Sequence, residues 1–342
     1  MPENGRGASQ ADGCSLAAFG LFVIRCRKPI QSSRALMSKD RATRGVDKAG
    51  FGTGKPTRSL LEVCSKLRPR ELYHMLSMVF VSAWLLDSRR IHPAYRMTWW
   101  KKLKLAFRMC KNALRIRTGT SYKAHMAMAA KLLEIPPEVD GVVVECGCWL
   151  GGSTANLSLI CDIVGRKLIV YDSFEGLPEG EPGDRHAKES AAGLFRGDLE
   201  LVKENVRRFG VIERCEFRRG WFRDTLPRHT EPIVLCFLDV DFQASLHDCI
   251  VNLWPHLTEK GYVFIDEFMF LDYCALFFSE RFWKEHFDAP PPGLMGAGTG
   301  VGVGQYYLGP FDWSQDPASV AYTRKDFYAL WDYVRKDSTP RA

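Results

Sequence analysis

Beyond Pro136 the chain alternates short, continuously apolar runs with amphipathic stretches, and this alternation limits the fold more than any other feature. The runs are GVVVEC (141–146), KLIVYD (167–172), RCEFRR (214–219), IVLCFLDV (233–240), GYVFIDE (261–267) and GVGVGQYYL (300–308). Strands rich in Val, Ile and Leu without polar interruption are buried on both faces. Helical segments are expected between them at 152–164, 199–209, 244–257 and 270–285. Such an order predicts a mostly parallel sheet covered by helices on both sides. Right-handed crossovers then bring the carboxyl ends of the strands to one edge, where sheets of this type bind ligands. The glycine-rich stretch 293–304 lacks the Lys-Ser/Thr ending of a phosphate loop. It reads as a hairpin into a last, antiparallel strand. The closing segment 322–336 reads as a terminal amphipathic helix.

Upstream of this domain the texture differs. Residues 1–57 are rich in Gly, Ser, Arg and Lys with little periodicity and read as a disordered, low-complexity segment. Residues 58–117 form a basic, helical region, with two helices interrupted near Pro69 and a third over Thr98 to Arg117. The third places Trp99, Leu103, Phe107, Met109 and Leu114 among basic residues, the pattern of an amphipathic helix. Residues 1–125 hold 25 Lys and Arg against 7 Asp and Glu, a net of +18, whereas the remainder carries −11. The basic front reads as a solvated helix face or as a weak contact for an anionic membrane. It lacks the aromatic and basic interleaving on strands that nucleic-acid binding would need. The eleven cysteines are odd in number and scattered without a C-x-x-C pair, so neither a zinc knuckle nor a thioredoxin motif is indicated, and a reducing cytoplasm is expected. No apolar run reaches the roughly 18 residues of a membrane span.

Chemistry concentrates at the strand ends. VVVECGCWLGGST (142–154) ends a buried strand in Glu145 and enters a helix through Gly147, Gly151 and Gly152. The spacing is E-x-G-x-x-x-G, unlike the G-x-G-x-x-G of a dinucleotide site. A carboxylate there suits a ligand carrying an ammonium group, such as the methionine part of S-adenosylmethionine. Asp172 ends the next strand, where an acid commonly binds a ribose. Trp221 and Phe222 follow the third strand and are placed to border an adenine. Asp239 and Asp241 follow the fourth strand, and Asp266 and Glu267 the fifth. Residues i and i+2 point the same way, which pairs the first two, but Asp266 and Glu267 can both face the site only if the chain turns there. Four gathered carboxylates repel one another, and a hard divalent cation, Mg²⁺ above all, relieves this. His247 is a minor candidate for a second base. His186 and His229 read as surface residues.

These segments, with YDSFEGLP, GWFRDTLP, LDVD and GYVFIDE in that order, resemble the macrocin O-methyltransferase family over roughly residues 118–270. The family's members are class I, metal-dependent methyltransferases that modify sugar hydroxyls of antibiotics and related compounds. The resemblance implies a Rossmann-like class I methyltransferase sheet over 118–342, with a helical N-terminal extension. It implies S-adenosylmethionine at Glu145, Gly147, Gly151, Ser153, Asp172, Ser173 and Trp221. It implies Mg²⁺ at Asp239, Asp266 and Glu267, with Asp241 as general base, a hydroxylated small molecule as acceptor, and a homo-oligomer. The chain departs from the family at Glu267, where Asp is common, and at Phe242 to Ser245, where Tyr-Glu-Ser-Thr is usual. The departure bears on the substrate more than on the reaction. The loop 179–198 and the N-terminal helices are the two candidates for covering the site. A nicotinamide-dependent oxidoreductase, and an inactive fold serving as a membrane-surface scaffold, are the competing readings.

Overall fold

A computed structural model describes residues 57–66, 69–86, 89–180, 192–268, 271–294 and 320–326. The expected strand at 300–308, the first 56 residues and the centre of the 179–198 loop lie outside them.

The strands β1 (Val142–Cys146), β2 (Leu168–Asp172), β3 (Cys215–Arg219), β4 (Ile233–Leu238), β5 (Leu257–Ile265) and β6 (Ala321–Arg324) form one sheet in the order β3-β2-β1-β4-β5-β6. The first five are parallel and β6 is antiparallel to β5. Crossover direction reverses between β1 and β4, and such a reversal opens a crevice at the carboxyl edge.

The apolar runs are continuous because both faces of the sheet are covered. Val143, Val170, Leu235, Phe237 and Phe264 point into one core, and Val144, Cys146, Ile169, Cys236 and Ile265 into the other. The first core also takes α2 (Pro69–Leu85), α3 (Trp99–Arg115), α4 (Tyr122–Glu134), α5 (Gly152–Val164) and α6 (Leu199–Phe209). The second takes α8 (Gln243–Leu253) and α10 (Glu280–Phe287), whose Trp283 is buried edge-on against Trp254. The short α1 (Leu60–Lys66), α7 (Phe222–Thr225) and α9 (Leu271–Cys274) complete the helices described.

The basic front is structurally part of this core. Asn112 of α3 donates to Asn156 Oδ1 of α5 (3.0 Å) and to Phe209 O at the end of α6 (3.1 Å). Asn156 in turn bonds His125 of α4 (2.9 Å). All three side chains are buried, so these bonds keep their strength and tie four helices together.

Two expectations change at the far end. Tyr322 to Arg324 are strand, not helix: Val263 and Phe264 of β5 pair with Thr323 and Tyr322, and the Tyr322 ring stacks on Phe264 at 5.1 Å. The rest of the proposed helix lies outside the described residues. The α8 segment stops at Leu253, and β5 starts at Leu257, four residues before the expected strand.

Candidate active site

Four turns leave the sheet at one level. Each extends its ladder by one bond past the strand: Gly147 N–H to Tyr171 O (2.9 Å), Gly220 N–H to Asp172 O (3.0 Å), Asp239 N–H to Cys146 O (3.0 Å) and Asp266 N–H to Leu238 O (3.0 Å). The residues that follow therefore share one edge, above the β1/β4 reversal. Gly147 is required there. A Cβ on it would lie 1.9 Å from the carbonyl oxygen of Asp239, and its φ of +84° disfavours any other residue. The tips of β1 and β4 come this close only because the position has no side chain.

The edge opens into one cleft of about 970 Å³, solvent at its mouth included. Gly147, Ser153, Asp172, Ser173, Trp221, Asp239, Asp241, Asp266 and Glu267 all line it. Two expected residues do not. Gly151 caps α5 in the left-handed conformation and packs on Val202 of α6. Glu145 lies behind the glycine turn, fully buried, and neither carboxylate oxygen closes a hydrogen bond of proper geometry. Burial pushes its carboxyl up to about 8, against the pull of the neighbouring Ser153 and Thr154 hydroxyls.

One end of the cleft is braced by Asp172. Its Oδ2 accepts from Cys148 N–H and its Oδ1 from Phe174 N–H, both at 2.7 Å, so the carboxylate braces the glycine turn against the β2 exit. Burial raises its pKa, and these backbone bonds oppose the rise. Trp221 and Phe222 also line the cleft, where Gly220 releases the chain from β3.

At the other end one oxygen each from Asp239, Asp266 and Glu267 come within 4.8 Å of one another. Asp241 lines the same wall but is not one of these three. Asp266 and Glu267 both face inward because the backbone turns at Glu267, whose φ is +44°. Asp241 sits at φ +57° in the middle of a three-residue turn closed by Phe242 N–H to Val240 O (2.6 Å). A non-glycine residue in the left-handed region is uncommon, and such strain persists where surrounding structure enforces it. Trp149 and Phe195 on the cleft wall share it, at +44° and +58°.

The donor set suits a hard divalent cation. All ligands are oxygens, and Oε2 of Glu267 is buried without a hydrogen bond. Burial raises the Glu267 carboxyl well above its usual range, reinforced by the charges of Asp266, Asp239 and Asp241. Burial also pushes Asp239 up to about 6, opposed by the Thr120 hydroxyl, which donates to its Oδ2 at 2.9 Å.

Thr120 and its neighbours were not among the expected site residues. Thr118 and Gly119, in the turn between α3 and α4, line the cleft, so the turn that follows the N-terminal helices reaches the site. Trp149 and Phe195, edge to face at 5.3 Å, form a further stretch of wall. Two histidine readings are settled by position. His229 is buried, not superficial: it bonds Tyr171 Oη (2.9 Å) and Glu231 O (2.8 Å) beneath the sheet. His247 stacks edge-on against Phe282 and His286, outside the residues that line the cleft.

A parallel sheet in this order, with an antiparallel edge strand, a glycine turn after β1 and an acid after β2, defines a class I methyltransferase fold. Residues 122–290 match the profile of the family described as Macrocin-O-methyltransferase (TylF). The 8-demethyl-8-(2,3-dimethoxy-alpha-L-rhamnosyl)-tetracenomycin-C 4'-O-methyltransferase of Streptomyces olivaceus is 36% identical over 147 residues, 40% of this chain and 56% of its own length. The demethyldecarbamoylnovobiocin O-methyltransferase of Streptomyces niveus is 33% identical over 175 residues, 44% of this chain and 65% of its own. The chain thus spans between half and two thirds of these relatives. Among solved structures, the O-methyltransferase NovP superposes with a TM-score of 0.50 at 22% identity, covering 75% of this chain and 99% of that one, a likeness of fold.

Proposed function

We propose that this chain is an S-adenosylmethionine-dependent, Mg²⁺-assisted O-methyltransferase acting on a hydroxyl of a sugar or other polyol small molecule. The observation that carries the reading is the cleft itself: Gly147, Asp172 and Trp221 at one end, and the Asp239–Asp266–Glu267 cluster at the other. The named activities of the two Streptomyces relatives support the acceptor class.

In this reading Asp172 receives the ribose hydroxyls, with Trp221 and Phe222 bordering the adenine. Gly147 lets the donor approach the backbone, and Ser153 and Ser173 supply polar contacts along it. S-adenosylmethionine supplies the methyl group. Asp239, Asp266 and Glu267 would hold the cation, which would supply Lewis-acid chemistry toward a hydroxyl. Asp241, on the same wall, takes the hydroxyl proton. The strained turns at Asp241 and Glu267 fix these carboxylates before any ligand arrives. Most of the acceleration then comes from holding donor and acceptor together in a cleft whose Thr118–Gly119 and Trp149–Phe195 walls exclude water.

The test is transfer of radiolabelled methyl from S-adenosylmethionine to a panel of glycosides and polyols, with and without EDTA. Labelled product that disappears on chelation and returns with Mg²⁺ is expected. An unchanged rate in EDTA removes the cation from the account. Tight binding of NAD with none of S-adenosylhomocysteine removes the methyltransferase reading itself.

A further inference from the structure

The face of α3 turned away from the core has no role in the cleft. Residues 89–133 hold twelve Lys and Arg and no Asp or Glu. Lys102 is spent inward, its Nζ bonding Leu86 O at 2.6 Å. Lys101, Lys104 and Arg108 are exposed, and neither they nor the half-buried Lys111 pair with an acid among the described residues. Two large rings stand among them: Trp100 is 73% and Phe107 54% exposed, at positions that share the helix face with Lys104 and Lys111. The core side of α3 is filled by Leu105, Met109 and Ala113, so the rings are not core residues displaced by crowding.

The neighbouring helix adds an apolar stripe. Tyr73, Leu76, Phe80 and Trp84 of α2 follow one another at helical spacing, all exposed, while Val79, Ala83 and Leu86 face the core. Soluble surfaces seldom carry so many large rings on adjoining helices. Rings and aliphatic side chains beside unpaired lysine and arginine are the composition of a helix that lies in the plane of a lipid interface. Trp and Tyr suit the headgroup level, and the cations meet anionic lipid. A nucleic acid would match the charge but would leave Leu76 and Phe80 without an apolar partner.

We propose that α2 and α3 form a monotopic platform that seats the protein on an anionic bilayer surface. The platform is independent of the methyl-transfer reading, because none of its residues lines the cleft.

Co-sedimentation of the full chain with phosphatidylcholine vesicles, with and without phosphatidylserine, tests it. Binding to the anionic vesicles alone, weakened by salt, is expected. Each Lys or Arg near such a surface contributes about fivefold in affinity. The K101E/K104E/R108E variant should therefore lose on the order of a hundredfold. W100S/F107S should lose several-fold while keeping the charge. Both variants should retain wild-type thermal stability and S-adenosylhomocysteine affinity, which separates loss of docking from loss of fold. No pelleting, equal pelleting on neutral vesicles, or wild-type pelleting of both variants overturns the proposal. So does a dimer in light scattering that W100S/F107S dissociates, which would make a second copy the occupant, or binding to RNA with none to vesicles.

Discussion

Replacing Glu145 by Gln keeps the shape of a buried side chain and removes its titration. In the folded chain burial holds this carboxyl near 8, against 4.5 in a free chain. A carboxyl raised on folding contributes stability that is complete below its unfolded value and is lost as the pH rises toward its folded value. Between these limits the unfolded state is ionised and the folded state protonated, and each pH unit costs about 1.4 kcal/mol. The wild type should lose about 2 kcal/mol from this residue between roughly pH 6 and pH 7.5, and the dependence should flatten above about 8. Other groups titrate too, but they are common to both proteins and cancel in the difference. Urea denaturation of wild type and E145Q across this range measures it. The difference should move steadily in favour of E145Q as the pH rises. Parallel curves would mean that Glu145 is already ionised in the fold, and the reasoning from its burial would fail.

Thr120→Val removes the 2.9 Å bond to Asp239 and keeps the volume. A hydrogen bond to a charged group contributes about 1.5–3 kcal/mol, so Mg²⁺ affinity measured by calorimetry should fall about tenfold or more while S-adenosylhomocysteine binding holds. Gly147→Ala places a methyl 1.9 Å from Asp239 O, and should destabilise the fold by several kcal/mol (on the scale of ~1–3 for backbone strain, with the clash added) in denaturant titration. With Asp239 near 6 and the Glu267 carboxyl raised as well, protons compete with the cation, so Mg²⁺ affinity should rise as pH climbs from about 5 to 7. An affinity independent of pH would take Asp239 out of the ligand set.

The sheet and the acids along its edge were legible because burial on both faces writes itself as uninterrupted apolar runs, and because acids at the ends of such runs stand out. Helices α5 and α6 match their expected spans residue for residue, since glycine and Asp198 mark their starts. What escaped were features made by distant contacts. Tyr322 to Arg324 carry helix-compatible spacing, and only pairing with β5 makes them strand. His229 sits in a polar stretch of sequence, yet its burial follows from Tyr171, 58 residues away. Thr118 to Thr120 look like an ordinary polar turn, and nothing local shows that α3 and α4 deliver it to Asp239, 119 residues on. Asp266 and Glu267 can both face the site only if the chain turns there, and the positive φ at Glu267 supplies that turn. Glu145 illustrates the reverse case: its type and place at a strand end were evident, but its seat behind the turn required the packing of α5.

The central claim is that an oxygen-only cluster and a nucleotide end share one cleft. Crystals soaked with Mn²⁺ and S-adenosylhomocysteine, read by anomalous scattering, test it most directly. A manganese peak is expected between Asp239, Asp266 and Glu267, with the nucleoside running along Gly147 to Trp221. A peak bound elsewhere, or a nucleoside lying outside that wall, contradicts it.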